Sequence, residues 1–123
     1  MQKKCIRFVC KKDYRDHTSP LFDSLQTLKF VDIVELKTIE LAYKAFNNML
    51  PVNIQNCFSH VTHSYKTRRP LNFAFSYKRT NIRSLISIEQ AVKLWNSCPD
   101  SMKAIENTHL FKKRYKLFLR KKC

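Results

Sequence analysis

The 123-residue sequence contains no glycine, where average usage of about 7% would supply roughly nine. Phosphate-cradling P-loops, dinucleotide-binding fingerprints, nucleophile elbows and EF-hand loops all need a residue that tolerates positive φ or close backbone approach. Each of these is excluded. Acids are scarce as well: 9 Asp and Glu stand against 24 Lys and Arg, a formal charge of +15. No two aspartates are adjacent, so the sequence offers no obvious carboxylate pair for two-metal phosphoryl transfer. Long apolar runs are missing too. The longest charge-free stretch, Ala45 to Tyr65, is interrupted by Pro51 and several polar residues, and no stretch reaches the roughly 18 apolar residues of a membrane-spanning helix. The start, MQKKCIRFVCKKD, is basic like a signal peptide, but its apolar part is short and broken by Arg7. An intracellular chain is expected, nuclear or cytoplasmic.

Enough is present for a core. Leu, Ile, Val and Phe exceed the roughly one fifth of residues below which disorder sets in, and the length suits one small domain. Charge is unevenly spread. Residues 1–15 are basic, residues 16–59 slightly acidic, residues 60–88 carry six cations and no acid, and residues 89–123 are again strongly basic. The expected organisation is therefore a helical part over 1–59 followed by a basic hairpin with helices over 60–123.

The clearest helix starts at Asp32. Asp32 and Glu35 have capping-box spacing, with Val31 and Leu36 as a hydrophobic staple. Leu36, Ile39, Tyr43, Phe46 and Leu50 then form one apolar face. Lys37, Glu40, Lys44 and Asn47 form the polar face, with Glu40 and Lys44 a favourably oriented i,i+4 pair. A shorter helix precedes it, with Ser19 as N-cap and Pro20 at its first position, and Gln2 to Lys12 reads as the first. After Pro51 the period changes. Leu71, Phe73, Phe75 and Tyr77 alternate with polar or small residues, and Ser84 to Ile88 is a second strand candidate. A further helix runs from Glu89 to before Pro99, and the last begins near Asn107 or Thr108, with Phe111, Tyr115 and Phe118 on one side. The predicted fold is mainly α, about five helices and one small β-hairpin (α+β), in a single small domain.

Residue spacing bears on three chemistries. Cys57, His60 and His63 follow as C-x2-H-x2-H, but tetrahedral zinc wants a fourth ligand that no spacing selects. Ordinary thiols and surface histidines are the expectation, with no metal and no cofactor. Asp23 followed by Glu35-Leu36-Lys37 matches the acid and E-x-K of restriction-type nucleases, yet Glu35 and Lys37 fall on a helix where Glu35 has a capping role. No local motif pairs a particular cysteine with a particular histidine for nucleophilic catalysis. The reading is of a non-enzyme with no small-molecule substrate.

What remains is cations interleaved with aromatics. Lys66, Arg68 and Arg69 lead into the aromatic stretch, and Lys78, Arg79 and Arg83 follow it. Lys112, Lys113, Lys116 and Arg120 lie on the C-terminal helix. These ten residues are the predicted nucleic-acid contacts, because so large a charge on so small a chain is relieved by a polyanion. The rings Phe73, Phe75 and Tyr77 are expected to face the core. The terminal run FKKRYKLFLRKKC can be read as a helix on nucleic acid, a membrane-surface helix or a nuclear-localisation patch. Its apolar stripe is expected to pack near Trp95 rather than enter lipid.

Several segments, in order, carry a resemblance: YRDHTSPLF at 14–22, LKFVDIVELKTIELAYKAFNNMLP at 28–51, YKTRR at 65–69, KRTNIRS at 78–84, KLWNSCP at 93–99 and HLFKKRYKLFL at 109–119. Together they resemble the C-terminal tail of reverse transcriptases of non-LTR (LINE-type, jockey-like) retrotransposons. Gln90-Ala91 stands where family members often carry a glycine before the LWN. The resemblance implies a non-catalytic, truncated tail, since the palm aspartates and endonuclease lie upstream of this region in the family. It would contact template RNA or target DNA through phosphates. The alternative is an interaction module that docks on the missing polymerase domain and touches no nucleic acid.

Overall fold

Helices dominate wherever the sequence repeats apolar residues at three and four. The structure is a computed structural model describing residues 1–61, 71–74 and 87–122. Among these are seven helices: α1 (Gln2–Val9), α2 (Ser19–Ser24), α3 (Phe30–Phe46), α4 (Val52–Gln55), α5 (Ser87–Ser97), α6 (Asp100–Lys103) and α7 (Thr108–Lys122). The short α4 and α6, each opened by a proline at the N-cap, are the two that periodicity does not reveal. None of the helices is long and apolar enough to cross a membrane.

Without glycine, the chain still closes three helices in the left-handed region. Lys11, Gln26 and Asn48 have φ of 51°, 51° and 56°. Each stands just past a helix end, and the next amide reaches back to the last turn: Lys12 N to Arg7 O, Thr27 N to Phe22 O and Met49 N to Lys44 O, at 2.9, 3.0 and 2.9 Å. This is the Schellman arrangement, in which glycine is the usual residue. Asn tolerates it well; for Lys and Gln the conformation costs about 1 kcal/mol or more.

The helix starts differ by a turn or less from the sequence reading. Thr18, not Ser19, is the N-cap of α2. α3 begins at Phe30 behind Lys29, so Asp32 lies inside its first turn, where its charge favours the helix dipole. The Asp32–Glu35 capping box is therefore displaced. Val31 is exposed rather than stapled.

α3 is the central element, packed against both α5 and α7, while α1 pairs with α2. The apolar faces of α3, α5 and α7 meet in one core whose largest fully buried side chains are Trp95, Tyr43, Phe73, Phe111, Ile39 and Leu119. Tyr43 stacks on Phe111 at 4.4 Å between centroids, and Trp95 lies 5.0 Å from Phe46 and 6.2 Å from Phe111. The Tyr43 hydroxyl donates to Ile105 O at 2.8 Å, which satisfies the polar end of a buried ring. Phe111 of the C-terminal stripe thus packs by Trp95, as expected, and Tyr115 is buried with it. Phe118, expected on the same side, is instead 41% exposed, and Leu119 is buried in its place.

Residues 71–74 are held in place by side chains of α5 and α6. Trp95 Nε1 donates to Leu71 O at 2.8 Å. The Asn96 amide makes both bonds to Phe73, accepting from its N–H at 2.9 Å and donating to its carbonyl at 3.1 Å. Lys103 Nζ donates to Asn72 Oδ1 at 2.6 Å. The expected β-hairpin over Leu71–Ile88 is not seen. Among the described residues there is no strand, only an isolated antiparallel bridge between His60 and Phe73. The reason is visible in the hydrogen bonds: Asn96 already occupies Phe73, Ala74 N pairs with Ser59 O at 2.7 Å, and Ser87 and Ile88 belong to α5. Residues 75–86, the rest of that expected hairpin, lie outside the described residues. Phe73 faces the core at 1% exposure, as expected.

Candidate nucleic-acid interface

α7 divides its side chains by the 3.6-residue period. Phe111, Tyr115 and Leu119 are buried. The helix is capped by Asn107, whose Oδ1 accepts from His109 N at 2.9 Å and Leu110 N at 3.3 Å. That fixes which cations point inward and which outward.

Of the four cations predicted on α7, two point outward and two are engaged by the fold. Lys113 and Lys116 are exposed and have no ion-pair partner among the described residues. Lys112, one position from Phe111, is turned to α3 and bonds Glu40 Oε1 at 2.8 Å. Arg120 donates from Nη2 to Gln26 O, and its buried Nε has no partner. The periodicity contains this division but not the identity of what lies opposite. Arg114 and Lys121, outside the predicted set, are exposed on the same helix. Leu110 before them and Leu117 and Phe118 among them are 41–48% exposed, so the outer side mixes cations with apolar surface. The other six predicted contacts, Lys66, Arg68, Arg69, Lys78, Arg79 and Arg83, lie outside the described residues.

Two of the carboxylates, Glu35 and Glu40, are committed at the seam between α3 and α7. Glu35 accepts from the Tyr115 hydroxyl at 3.0 Å and lies 3.7 Å from Lys122 Nζ. Burial first, then the Glu35 charge, pushes the Tyr115 phenol far up, so it remains a donor. Glu40 is buried beneath three ammonium groups: Lys112 at 2.8 Å, Lys44 at 3.1 Å and Lys37 at 3.5 Å. Burial pushes its carboxyl up, but hydrogen bonds and charge from Lys112 and Lys44 together outweigh this and hold it below the ordinary 4.5. A depressed native pKa stabilises the fold above the unfolded value and ceases to do so as pH falls through the folded one. Urea unfolding should therefore show stability declining below 4.5. Glu40→Gln should lose less between neutral and acid pH than the parent chain, and equal losses would mean that Glu40 contributes nothing to acid sensitivity.

The residues that bear on the other chemistries are placed as follows. Glu35 and Lys37 lie on α3 with the partners just named, and Asp23 is exposed on α2. Cys57 Sγ approaches Asn53 O at 3.5 Å, and the His60 ring lies against Phe46 and Phe73. His63 lies outside the described residues. Among the described residues no three His, Cys, Asp or Glu side chains are grouped to hold a metal. Burial, against an opposing pull from Lys103, pushes the Cys98 thiol up to about 11. A thiol raised in this way is mostly protonated at neutral pH.

The arrangement leaves Lys113, Arg114, Lys116 and Lys121 exposed on α7 with no carboxylate partner among the described residues. Comparison with protein families, with curated proteins and with solved structures gives no match.

Proposed function

We propose that the chain is a non-catalytic nucleic-acid-binding module, the C-terminal region of a non-LTR retrotransposon reverse transcriptase, which contacts template RNA or target DNA through its phosphates. The observation that carries this reading is an imbalance. Glu35 and Glu40 are engaged by groups on α3 and α7, whereas Lys113, Arg114, Lys116 and Lys121 are exposed on α7 without a carboxylate partner among the described residues. A surplus of +15 that the protein's own acids do not offset favours a polyanion. Phosphate contacts release condensed counterions, so affinity falls steeply with salt. Binding to single-stranded RNA and DNA should weaken about ten-fold or more between roughly 50 and 200 mM salt. A flat response, or no binding at low salt, removes the reading.

One feature favours the second reading, docking on a polymerase domain. Phe30, Val31, Ile33 and Val34 are 38–72% exposed at the start of α3, and a cavity of about 300 Å³ lies between Val31, Val34 and Leu94. A module of that kind shows no salt-dependent affinity for RNA, so the same titration separates the two.

A further inference from the structure

The knot around Glu40 holds more positive charge than it needs. Lys37 and Lys44 come from α3 and Lys112 from α7, and all three ammonium groups converge on one carboxylate. Lys44 and Lys112 share the same oxygen, Oε1, which brings two like charges closer than they would otherwise settle. The carboxylate side chain is 9% exposed, but those of Lys37, Lys44 and Lys112 are 71%, 40% and 39% exposed. The acid therefore lies beneath and the ammonium groups face solvent above it. Each ammonium has three donors, and one directed at Glu40 leaves others free to face outward. Three cations over one anion leave a local surplus.

We propose that Lys37, Lys44 and Lys112, gathered on Glu40, form a seat for a backbone phosphodiester of single-stranded nucleic acid. This rests on the nucleic-acid reading and extends its surface from α7 across to α3. A phosphate oxygen accepts several charge-assisted hydrogen bonds at once, and ammonium groups already held together lose little freedom in making them. Lys116, one turn beyond Lys112 on α7 and exposed, continues the same side of the helix toward the next phosphate. Lys37 and Lys44 carry no base-reading geometry, so the seat contributes affinity without sequence preference.

The test uses the full chain, with short fluorescein-labelled oligo-U and oligo-dT strands titrated at several salt concentrations. The double variant Lys37→Gln/Lys44→Gln removes two cations while retaining good helix formers, and Lys112 still satisfies Glu40. A matched control, Lys3→Gln/Lys4→Gln on α1, changes the net charge equally. For the α3 variant the salt slope is expected to fall by about one to two and affinity to weaken several-fold at low salt, with both strands affected alike if phosphate alone is recognised. The control is expected to stay close to the parent slope. An α3 variant with the parent slope, or a control that weakens equally, overturns the seat. A parent chain that binds neither strand sinks the nucleic-acid reading itself, a separate outcome.

Discussion

Trp95→Ala is expected to cost the fold about 3–5 kcal/mol, the range for deleting a large buried aromatic. That is a large share of the total stability of a small domain, about 5–15 kcal/mol. Trp95 is 0% exposed and lies where α3, α5, α7 and residues 71–74 meet. Its ring contacts Tyr43, Phe46, Phe73 and Phe111, with centroids 5.0–6.4 Å away. Truncation to alanine opens a void that aromatic neighbours from α3, α7 and residues 71–74 cannot close without leaving their rotamers. It also leaves Leu71 O without the indole donor, a loss of about 1–3 kcal/mol where no water replaces it. Urea unfolding followed by far-UV circular dichroism reads the sum. Phe118→Ala, at a position 41% exposed, provides the contrast and should cost about 1 kcal/mol or less. Equal losses for the two would mean that Trp95 is not the junction.

That junction explains what the sequence could and could not disclose. Spacing alone located α3, α5 and α7, because Ile39, Tyr43, Trp95, Phe111 and Tyr115 recur where one helical face must be buried. It misplaced the start of α3 because the cap is not local. The N–H of Phe30 is satisfied by Gln2 Oε1 at 2.8 Å, and Gln2 Nε2 donates to Leu28 O at 3.0 Å. A side chain from α1 thus supplies what the Asp32–Glu35 spacing offered, and Glu35 is free to meet Tyr115 and Lys122. At the described end of the expected hairpin the reason is similar: Asn96, 23 residues away, takes the Phe73 backbone groups that a second strand would have paired. Local pattern identifies faces; it does not identify partners. Among the candidate contacts the same limit separates Lys113 and Lys116, which face outward, from Lys112 and Arg120, whose partners Glu40 and Gln26 stand on other parts of the chain. Lys37 and Lys44 were visible as a polar face, but the third lysine that completes the group comes from α7.

Lys103 carries the second large effect. Its side chain is only 1% exposed, and an ammonium removed from water costs several kcal/mol unless it is held by acceptors. Three groups hold it: Asn72 Oδ1 at 2.6 Å, Asp100 Oδ1 at 3.5 Å, and the Trp95 ring at 5.8 Å from its centroid. The Asp100 side chain is 65% exposed, so its charge is well screened and Asn72 carries most of the burden. Asn72→Ala should therefore cost about 3 kcal/mol, because it leaves a buried charge short of an acceptor. Lys103→Met keeps the aliphatic stem against Trp95 and removes the charge. Combined with Asn72→Leu, it should be about as stable as the parent, or more so. The decisive quantity is the coupling between the two sites. In the Lys103→Met background, Asn72→Ala should cost less than in the parent by about 2 kcal/mol, read from urea midpoints at constant m. An unchanged cost in that background would mean that Asn72 orders residues 71–74 without carrying the ammonium, and that Lys103 draws its support from Asp100 and the indole face alone.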